Sequence, residues 1–191
     1  MPTFVPPVDD ERDALLSYLA QQRDAIRLAA HGLTEAQAAS APTRSPLSIA
    51  GIVAHLIAVE DYWIDRVLGG RELEVTGRIP DGSTVPDGDS LETLLARYAD
   101  RAAATESAVS LVADLGEPLP VPDEMRRPAR NADTWSVRWI LLHLLEETAR
   151  HAGHADLIRE HIDGARATSL MAAAEGWPED GRIRPWRPGP G

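Results

Sequence analysis

The 191-residue chain contains no cysteine and no lysine, and aromatic residues make up only 5% of it. Without cysteine the chain can form neither a disulfide nor an iron–sulfur cluster, and it has no catalytic thiol of its own. Any thiol chemistry must therefore use a thiol from another molecule. No segment approaches the roughly 18 consecutive apolar residues that a transmembrane helix needs, so we expect no membrane partner.

Positive charge is also scarce, because 19 arginines face 30 acidic residues and the formal net charge is −11. Such a field repels nucleic acid, which we therefore do not expect as a partner. Locally basic segments occur at 126–130 and at Arg182, Arg184 and Arg187, and we interpret them as solvated loops. The first ten residues carry prolines and acids instead of the basic and apolar parts of a signal peptide, which predicts a cytoplasmic protein.

Four segments have the apolar spacing and the end signals of helices, namely residues 10–31, 48–68, 89–112 and 136–162. Residues 71–89 and 116–133 are rich in glycine, proline or aspartate and predict loops, with a short extended piece near 73–76. Strand alternation is nearly absent. We therefore predict an all-α fold, an up-down four-helix bundle that forms one domain over residues 1–191. Its core would cover about 10–164, and 165–191 would be a C-terminal extension with a short segment around 169–174 and an irregular tail over 176–191.

The predicted fourth helix carries a carboxylate on its apolar face. Glu147 and His151 are four residues apart, which puts them about 40° apart around a helix. Burying an ionised Glu without a partner costs several kcal/mol or more, so Glu147 must be neutral, paired or bound to a metal. His143 and His154 lie close to the same row of the helix.

His55 is a second polar residue in an apolar setting, on the predicted second helix. Metal sites in bundles are built from inward side chains of facing helices. His55 facing Glu147 and His151 gives two imidazoles and one carboxylate, which suits zinc with an open fourth position and suits non-haem iron as well. A satisfied core histidine and an internal Glu–His pair are the alternatives. We favour a metal, with zinc ahead of nickel or iron, because three such side chains share one predicted core.

Two phrases carry a family resemblance: HLIAVEDYW over 55–63 and EETARHAGHADLIRE over 146–160. At these residues the chain resembles the DinB-like four-helix bundle superfamily. Within it, the Glu-xxx-His pair is similar to the actinobacterial branch related to the N-terminal domains of mycothiol-dependent maleylpyruvate isomerases. The resemblance implies a divalent metal held by His55, Glu147 and His151. His154 would lie beside them, either supporting a ligand or taking the place of one.

The resemblance also implies an activity, the metal-dependent transfer of a low-molecular-weight thiol such as mycothiol to an electrophilic small molecule, as in detoxification. A thiol coordinated to zinc is deprotonated, which agrees with a protein that has no cysteine and needs its nucleophile from a cosubstrate. Two alternatives stay open. One is a metal-dependent hydrolase with Glu146 or His154 as base. The other is a non-catalytic, stress-related binding bundle with a metal-free polar core.

Three further expectations concern substrates, partners and the tail. Arg23, Arg27 and Arg66 are helix-borne candidates for gripping anionic parts of a substrate. The predicted second helix is apolar nearly all round, which predicts a homodimer in which a second copy covers its outer side. Trp177 and Trp186 should fold back onto apolar surface or onto that partner, because exposed indoles are unfavourable.

Overall fold

The computed structural model describes residues 4–70, 79–122, 125, 134–179 and 181–188. This part of the chain is mainly helical, which confirms the predicted all-α fold of DinB type. Its α-helices are α1 (Glu11–Ala30), α2 (Glu35–Ala38), α3 (Ile49–Glu60), α4 (Leu91–Ser110), α5 (Val137–Asp163) and α6 (Ala167–Ala174). A π-helical segment covers Asp61–Leu68, and two short strands, β1 (Pro118–Pro120) and β2 (Thr134–Ser136), pair antiparallel.

The bundle consists of α1, α3, α4 and α5, and each of these helices has an N-terminal cap. The side chains of Asp10, Ser48, Ser90 and Ser136 each accept the backbone N–H three residues further on. At the other end of α5, Gly164 adopts a left-handed conformation with φ 73°, which only glycine takes without strain. These local signals explain why the helices begin and end close to the predicted residues.

The predicted second helix is not a single α-helix. After Glu60 the chain continues as a π-helix, and the N–H of Gly69 bonds at 2.8 Å to the carbonyl of Ile64, five residues back. Tyr62, Trp63 and Ile64 are consecutive and all buried. A π-turn accommodates an additional residue within a helix and shifts the faces that follow. Apolar periodicity could not reveal it, because α3 before it is apolar on most of its circumference and defines no single face against which a shift could be seen.

The prediction of a loop over 116–133 is wrong at its start. Leu119 pairs with Trp135 in the small sheet, with Pro118 and Pro120 on either side of it. Prolines cannot donate to a ladder, so the pairing stays three residues long. The sheet brings Trp135 against the bundle. The basic segment at 126–130 and the extended piece near 73–76 lie outside the described residues.

Helix α3 lies in the middle of the bundle. All of its residues except Ala58 are buried, and α1, α4 and α5 all pack against it. The chain itself therefore covers the apolar circumference that suggested a second copy. The homodimer stays a prediction, and a single monomeric species in sedimentation at micromolar concentration would contradict it.

The C-terminal segment returns to the bundle. Trp186 meets His31 edge-on at 5.9 Å between ring centroids, and the guanidinium of Arg159 lies over its ring at 4.7 Å. Trp177 is half-buried, and its indole N–H donates to Glu175. Trp186 thus folds back as predicted. Within the described residues, none of the helices combines the length and the hydropathy that crossing a bilayer requires.

Candidate metal centre

His55, Glu147 and His151 converge between α3 and α5. The Nε2 atom of His55 lies 3.3 Å from Oε1 of Glu147, and the Nε2 atom of His151 lies 3.6 Å from the same oxygen. One candidate ligand atom from each side chain lies within 4.8 Å of the other two. The centroids of the two imidazole rings are 4.6 Å apart. The structure therefore brings together the three side chains that the sequence placed in one core.

The orientation of His55 is set by a loop of the chain. Its Nδ1 atom bonds at 2.5 Å to the carbonyl of Pro80. That loop is attached to the start of α3, where the N–H of Ser48 bonds to the carbonyl of Gly82 at 3.2 Å. Gly51 makes this approach possible, because a Cβ at that position would collide with the Gly82 carbonyl. With Nδ1 donating to Pro80, the neutral ring presents a lone pair at Nε2.

This tautomer makes the group a good fit for a divalent cation. The lone pair of His55 and the carboxylate of Glu147 are both acceptors, so their contact at 3.3 Å requires a proton or a cation between them. His151 presents a second imidazole nitrogen to the same carboxylate, and its Nδ1 atom is buried with no hydrogen-bond partner among the described residues. Two imidazoles and one carboxylate are a ligand set of catalytic zinc, with a fourth position left open.

The charges in the group are strongly coupled. Hydrogen bonds with His151 and His55 hold the pKa of Glu147 well below its usual range, although burial acts in the opposite direction. Burial lowers the pKa of His55, but the bonds with Glu147 and Pro80 outweigh it and raise the pKa overall. Glu147 is therefore an ionised, paired carboxylate at neutral pH, which is the state that a metal ligand needs.

His154 lies beside the converging group and outside it. Its ring meets that of His151 edge-on, with centroids 5.3 Å apart. Burial, followed by the positive charges of His151 and Arg150, lowers the pKa of His154. Its ligand atoms are not among those that converge in the described part of the chain. In this arrangement His154 contacts a candidate ligand from the side.

His143 and Glu146 occupy other positions on α5. His143 stacks on Trp139 at 5.2 Å and meets Trp63 edge-on at 4.8 Å, so it belongs to an aromatic cluster. The Glu146 side chain is 56% exposed and pairs with Arg150. A base for metal-assisted hydrolysis must reach the metal-bound water. Glu146 does not lie in the converging group, and the geometry gives the hydrolase alternative no support through this residue.

The expectation that Arg23 grips a substrate is wrong, because its side chain is only 4% exposed and binds Glu60. Nε and Nη2 of Arg23 donate to the two carboxylate oxygens at 2.9 and 2.7 Å, and the Thr105 hydroxyl donates to Glu60 at 2.7 Å. Sequence reasoning missed Glu60. A carboxylate on an apolar helix was the signal that could have found it. Arg27 is exposed and pairs with Asp24 at 2.9 Å, and Arg66 lies half-buried in the π-helical segment.

The fold and this group of side chains define a class, a DinB-like helical bundle with a candidate divalent-metal site in its core. The chain belongs to the mycothiol-S-transferase family, whose model matches residues 14–164, from α1 to the glycine that ends α5. The match includes all three converging side chains. Comparison with curated proteins gives no match.

A solved structure of a conserved protein from Enterococcus faecalis is similar to this chain. The two share 16% sequence identity with a TM-score of 0.63, and the similarity covers 83% of this chain and 100% of that one. At so low an identity the likeness shows the fold alone.

Proposed function

We propose that the protein transfers a low-molecular-weight thiol of the mycothiol type to an electrophilic small molecule. A divalent metal, zinc ahead of nickel or iron, would be held by His55, Glu147 and His151. The observation that carries the proposal is the convergence of two imidazole nitrogens and one carboxylate oxygen within 4.8 Å of one another, on His55, His151 and Glu147. Membership of the mycothiol-S-transferase family supports the thiol as the class of cosubstrate.

A bound divalent metal would supply one piece of chemistry, which is to lower the pKa of a coordinated thiol so that the thiolate forms at neutral pH. The chain has no cysteine, so the thiol belongs to the substrate. In the overall reaction the sulfur forms a bond to an electrophilic carbon, the leaving group departs with its electron pair, and the thiol proton passes to solvent.

The residues of the chain hold and orient the reactants. The side chains of His55 and His151 are 11% and 10% exposed, whereas that of Glu147 is 22% exposed. Glu147 is therefore the most accessible of the three side chains, and the two imidazoles are more deeply buried. The Pro80 carbonyl fixes the ring of His55, which keeps its Nε2 lone pair directed at the centre. Glu147 remains ionised and neutralises part of the positive charge there.

The first experiment measures metal content and metal-dependent stability. Protein purified without chelator and without a metal-affinity tag is analysed by inductively coupled plasma mass spectrometry and by thermal unfolding with added Zn²⁺. We expect about one equivalent of a transition metal and a stabilisation of about 2.7 kcal/mol at ~100 times the Kd. Less than about 0.1 equivalent together with no stabilisation would contradict the proposal, since a ligand of the native state must stabilise it.

Histidine variants on α5 provide the matched controls. His151→Ala should abolish the zinc-dependent stabilisation. His161→Ala should leave it unchanged, because His161 is exposed and its Nδ1 bonds to the carbonyl of Leu157 on its own helix. If His154 only supports the ring of His151, His154→Ala should weaken metal binding ~10 to 100-fold. Equal losses in His151→Ala and His154→Ala would instead make His154 a ligand.

The reaction is tested with metal-loaded protein, a small thiol and a haloaromatic electrophile, with mass spectrometry of the thioether product. Product formation that requires metal supports the transferase. Metal binding without any thioether would favour the hydrolase or the binding bundle. We also propose that the protein acts in the cytoplasm, where cellular reductants keep small thiols reduced.

A further inference from the structure

A short segment, residues 79–85, crosses α3 beside His55, and we call it the strap. Both of its ends pack against the core. Ile79 contacts the hydrophobic cluster that includes Trp63, whereas Val85 contacts the cluster that includes most of α3. The backbone between these two side chains is therefore held against the bundle beside the candidate metal centre.

The strap reaches α3 through two backbone carbonyls. The carbonyl of Pro80 accepts the Nδ1 proton of His55 at 2.5 Å, and the carbonyl of Gly82 accepts the N–H of Ser48 at 3.2 Å. Only one residue separates the two carbonyls in the chain, so a shift of Gly82 also shifts Pro80.

Glycines on both sides allow this close approach. Gly51 is one turn before His55 on α3, and a Cβ there would collide with the Gly82 carbonyl and lie 2.9 Å from the Ser48 hydroxyl. Gly82 has a φ of 84°, and a Cβ there would lie 2.9 Å from the side chain of Leu47. Glycine inside a helix is otherwise unfavourable, so the approach of the strap explains why position 51 has no side chain.

The orientation of the His55 ring depends on the bond to Pro80. An imidazole can carry its proton on either nitrogen, and the partner of one nitrogen decides what the other presents. The Nδ1 proton donated to Pro80 leaves a lone pair at Nε2, which lies 3.3 Å from Oε1 of Glu147. Removing such a partner of a ligand weakens metal binding ~10 to 100-fold. A strap that cannot dock should therefore weaken the site although every ligand is still present.

We propose that Gly51 and Gly82 are positioning residues of the candidate metal centre. They let the strap dock on α3, and the docked strap directs Nε2 of His55 at the cation. The inference rests on the proposed function, which supplies the divalent metal as the ligand. Because coupling between two binding events is reciprocal, a bound cation also holds the strap on α3.

The first measurement is the Kd of the full chain for Zn²⁺, obtained by competition with a chromophoric chelator. Gly51→Ala and Gly82→Ala should each raise this Kd ~10 to 100-fold. Gly153→Ala is the control for the first variant, because Gly153 also lies inside a helix but its Cβ would meet nothing within 4 Å. Gly88→Ala is the control for the second, because Gly88 has a φ of 85° and open space around it. Both controls should keep the wild-type Kd.

The second measurement reads the strap directly, by proton NMR of the zinc-free proteins. Nδ1 of His55 carries its proton in the charged ring and in the neutral tautomer that donates to Pro80. We expect this proton to be protected from exchange with solvent in the wild type, with its resonance assigned by its loss in His55→Asn. The resonance should disappear in Gly51→Ala and persist in Gly153→Ala. Added zinc should slow its exchange further in the wild type.

A wild-type Kd in folded Gly51→Ala would overturn the inference, as would free exchange of the Nδ1 proton in the wild type. If Gly51→Ala does not fold, Gly82→Ala decides, because its substitution lies outside the helix. Zinc binding that is equal in the wild type and all four glycine variants would refute this inference alone. A protected Nδ1 proton that Gly51→Ala removes, in a wild type that binds no zinc, would refute the proposed function alone.

Discussion

Among the buried polar groups of the described residues, two clusters built around a carboxylate make contacts of different kinds. The ion-pair cluster consists of Arg23, Glu60 and Thr105, and the histidine cluster consists of His55, Glu147 and His151. In the ion-pair cluster three donors approach one carboxylate at 2.7–2.9 Å. In the histidine cluster two imidazole nitrogens approach one carboxylate at 3.3 and 3.6 Å. Donors enclose the carboxylate of Glu60, although Nη1 of Arg23 has no hydrogen-bond partner among the described residues and lies 3.6 Å from Glu106. The longer contacts of Glu147 leave room for a cation.

The difference lies in the chemistry of the partner. A guanidinium has donors only and always carries its charge. It can therefore satisfy the acceptor atoms of a carboxylate, but it has no lone pair with which to bind a metal. An imidazole whose other nitrogen donates to a carbonyl offers a lone pair. Access differs as well, because the Glu60 side chain is 2% exposed and that of Glu147 is 22% exposed. A buried carboxylate paired with arginine thus indicates a structural ion pair, whereas one that faces imidazoles and solvent indicates a candidate metal site.

The largest effect on stability should come from breaking the ion-pair cluster. Arg23→Met leaves the Glu60 charge buried without its partner and should lower the free energy of unfolding by about 3–5 kcal/mol, measured by urea denaturation. The double variant Arg23→Met/Glu60→Leu should recover most of this loss, because no charge then remains buried. A loss below about 1 kcal/mol in the single variant would mean that the buried pair contributes no more to the free energy of unfolding than a surface pair does.

Removing the carboxylate of the histidine cluster should affect metal binding more than folding. Glu147→Gln should lose the zinc-dependent stabilisation of about 2.7 kcal/mol at ~100 times the Kd. The zinc-free variant should lose some stability, because hydrogen bonds with His151 and His55 stabilise the ionised carboxylate, but less than Arg23→Met loses. Glu146→Gln, one residue away and exposed, is the matched control and should respond to zinc as the wild type does. A large loss of stability in zinc-free Glu147→Gln would make this cluster a structural pair like the other.

The pH dependence of stability tests how burial acts on a third carboxylate, that of Asp156 on α5. Burial and then the charge of Glu160 raise its pKa to about 6. The folded state therefore binds this proton more tightly than the unfolded state, and this residue's contribution to stability falls as pH rises from about 4 to about 6. Asp156→Asn should raise stability at pH 7 by about 1–2 kcal/mol and give no gain below pH ~4, measured by urea denaturation. An equal gain at both pH values would exclude the ionised side chain as the cause.

The smallest effect on stability is expected for an exposed arginine–carboxylate pair with the same bidentate geometry as the buried pair of Arg23 and Glu60. Arg138 donates through Nε and Nη2 to both carboxylate oxygens of Glu11 at 2.6 and 2.9 Å, and these hydrogen bonds hold the pKa of Glu11 below its usual range. The side chains are 41% and 54% exposed. Glu11→Gln should leave the denaturation midpoint unchanged within error, because solvent screens the pair. A loss as large as that of Arg23→Met would show that burial is not what distinguishes the two bidentate pairs.

The sequence by itself determined the features that depend on neighbours along one helix. Serine caps, the glycine that ends α5 and the 3.6-residue period fixed where the bundle helices begin and end. The same period placed Glu147 and His151 on one face. That His55 would face them could be anticipated only as a hypothesis, because His55 and Glu147 are 92 positions apart in the chain.

Tertiary packing decided everything that joins distant segments. Glu60 receives Arg23 from 37 residues away, and the Pro80 carbonyl orients His55 across 25 residues. The burial of α3 beneath α1, α4 and α5 and the stacking of the tryptophans likewise depend on how the helices pack. Local periodicity fixes only the direction in which a side chain leaves its helix, whereas its partner depends on which other element fills that space.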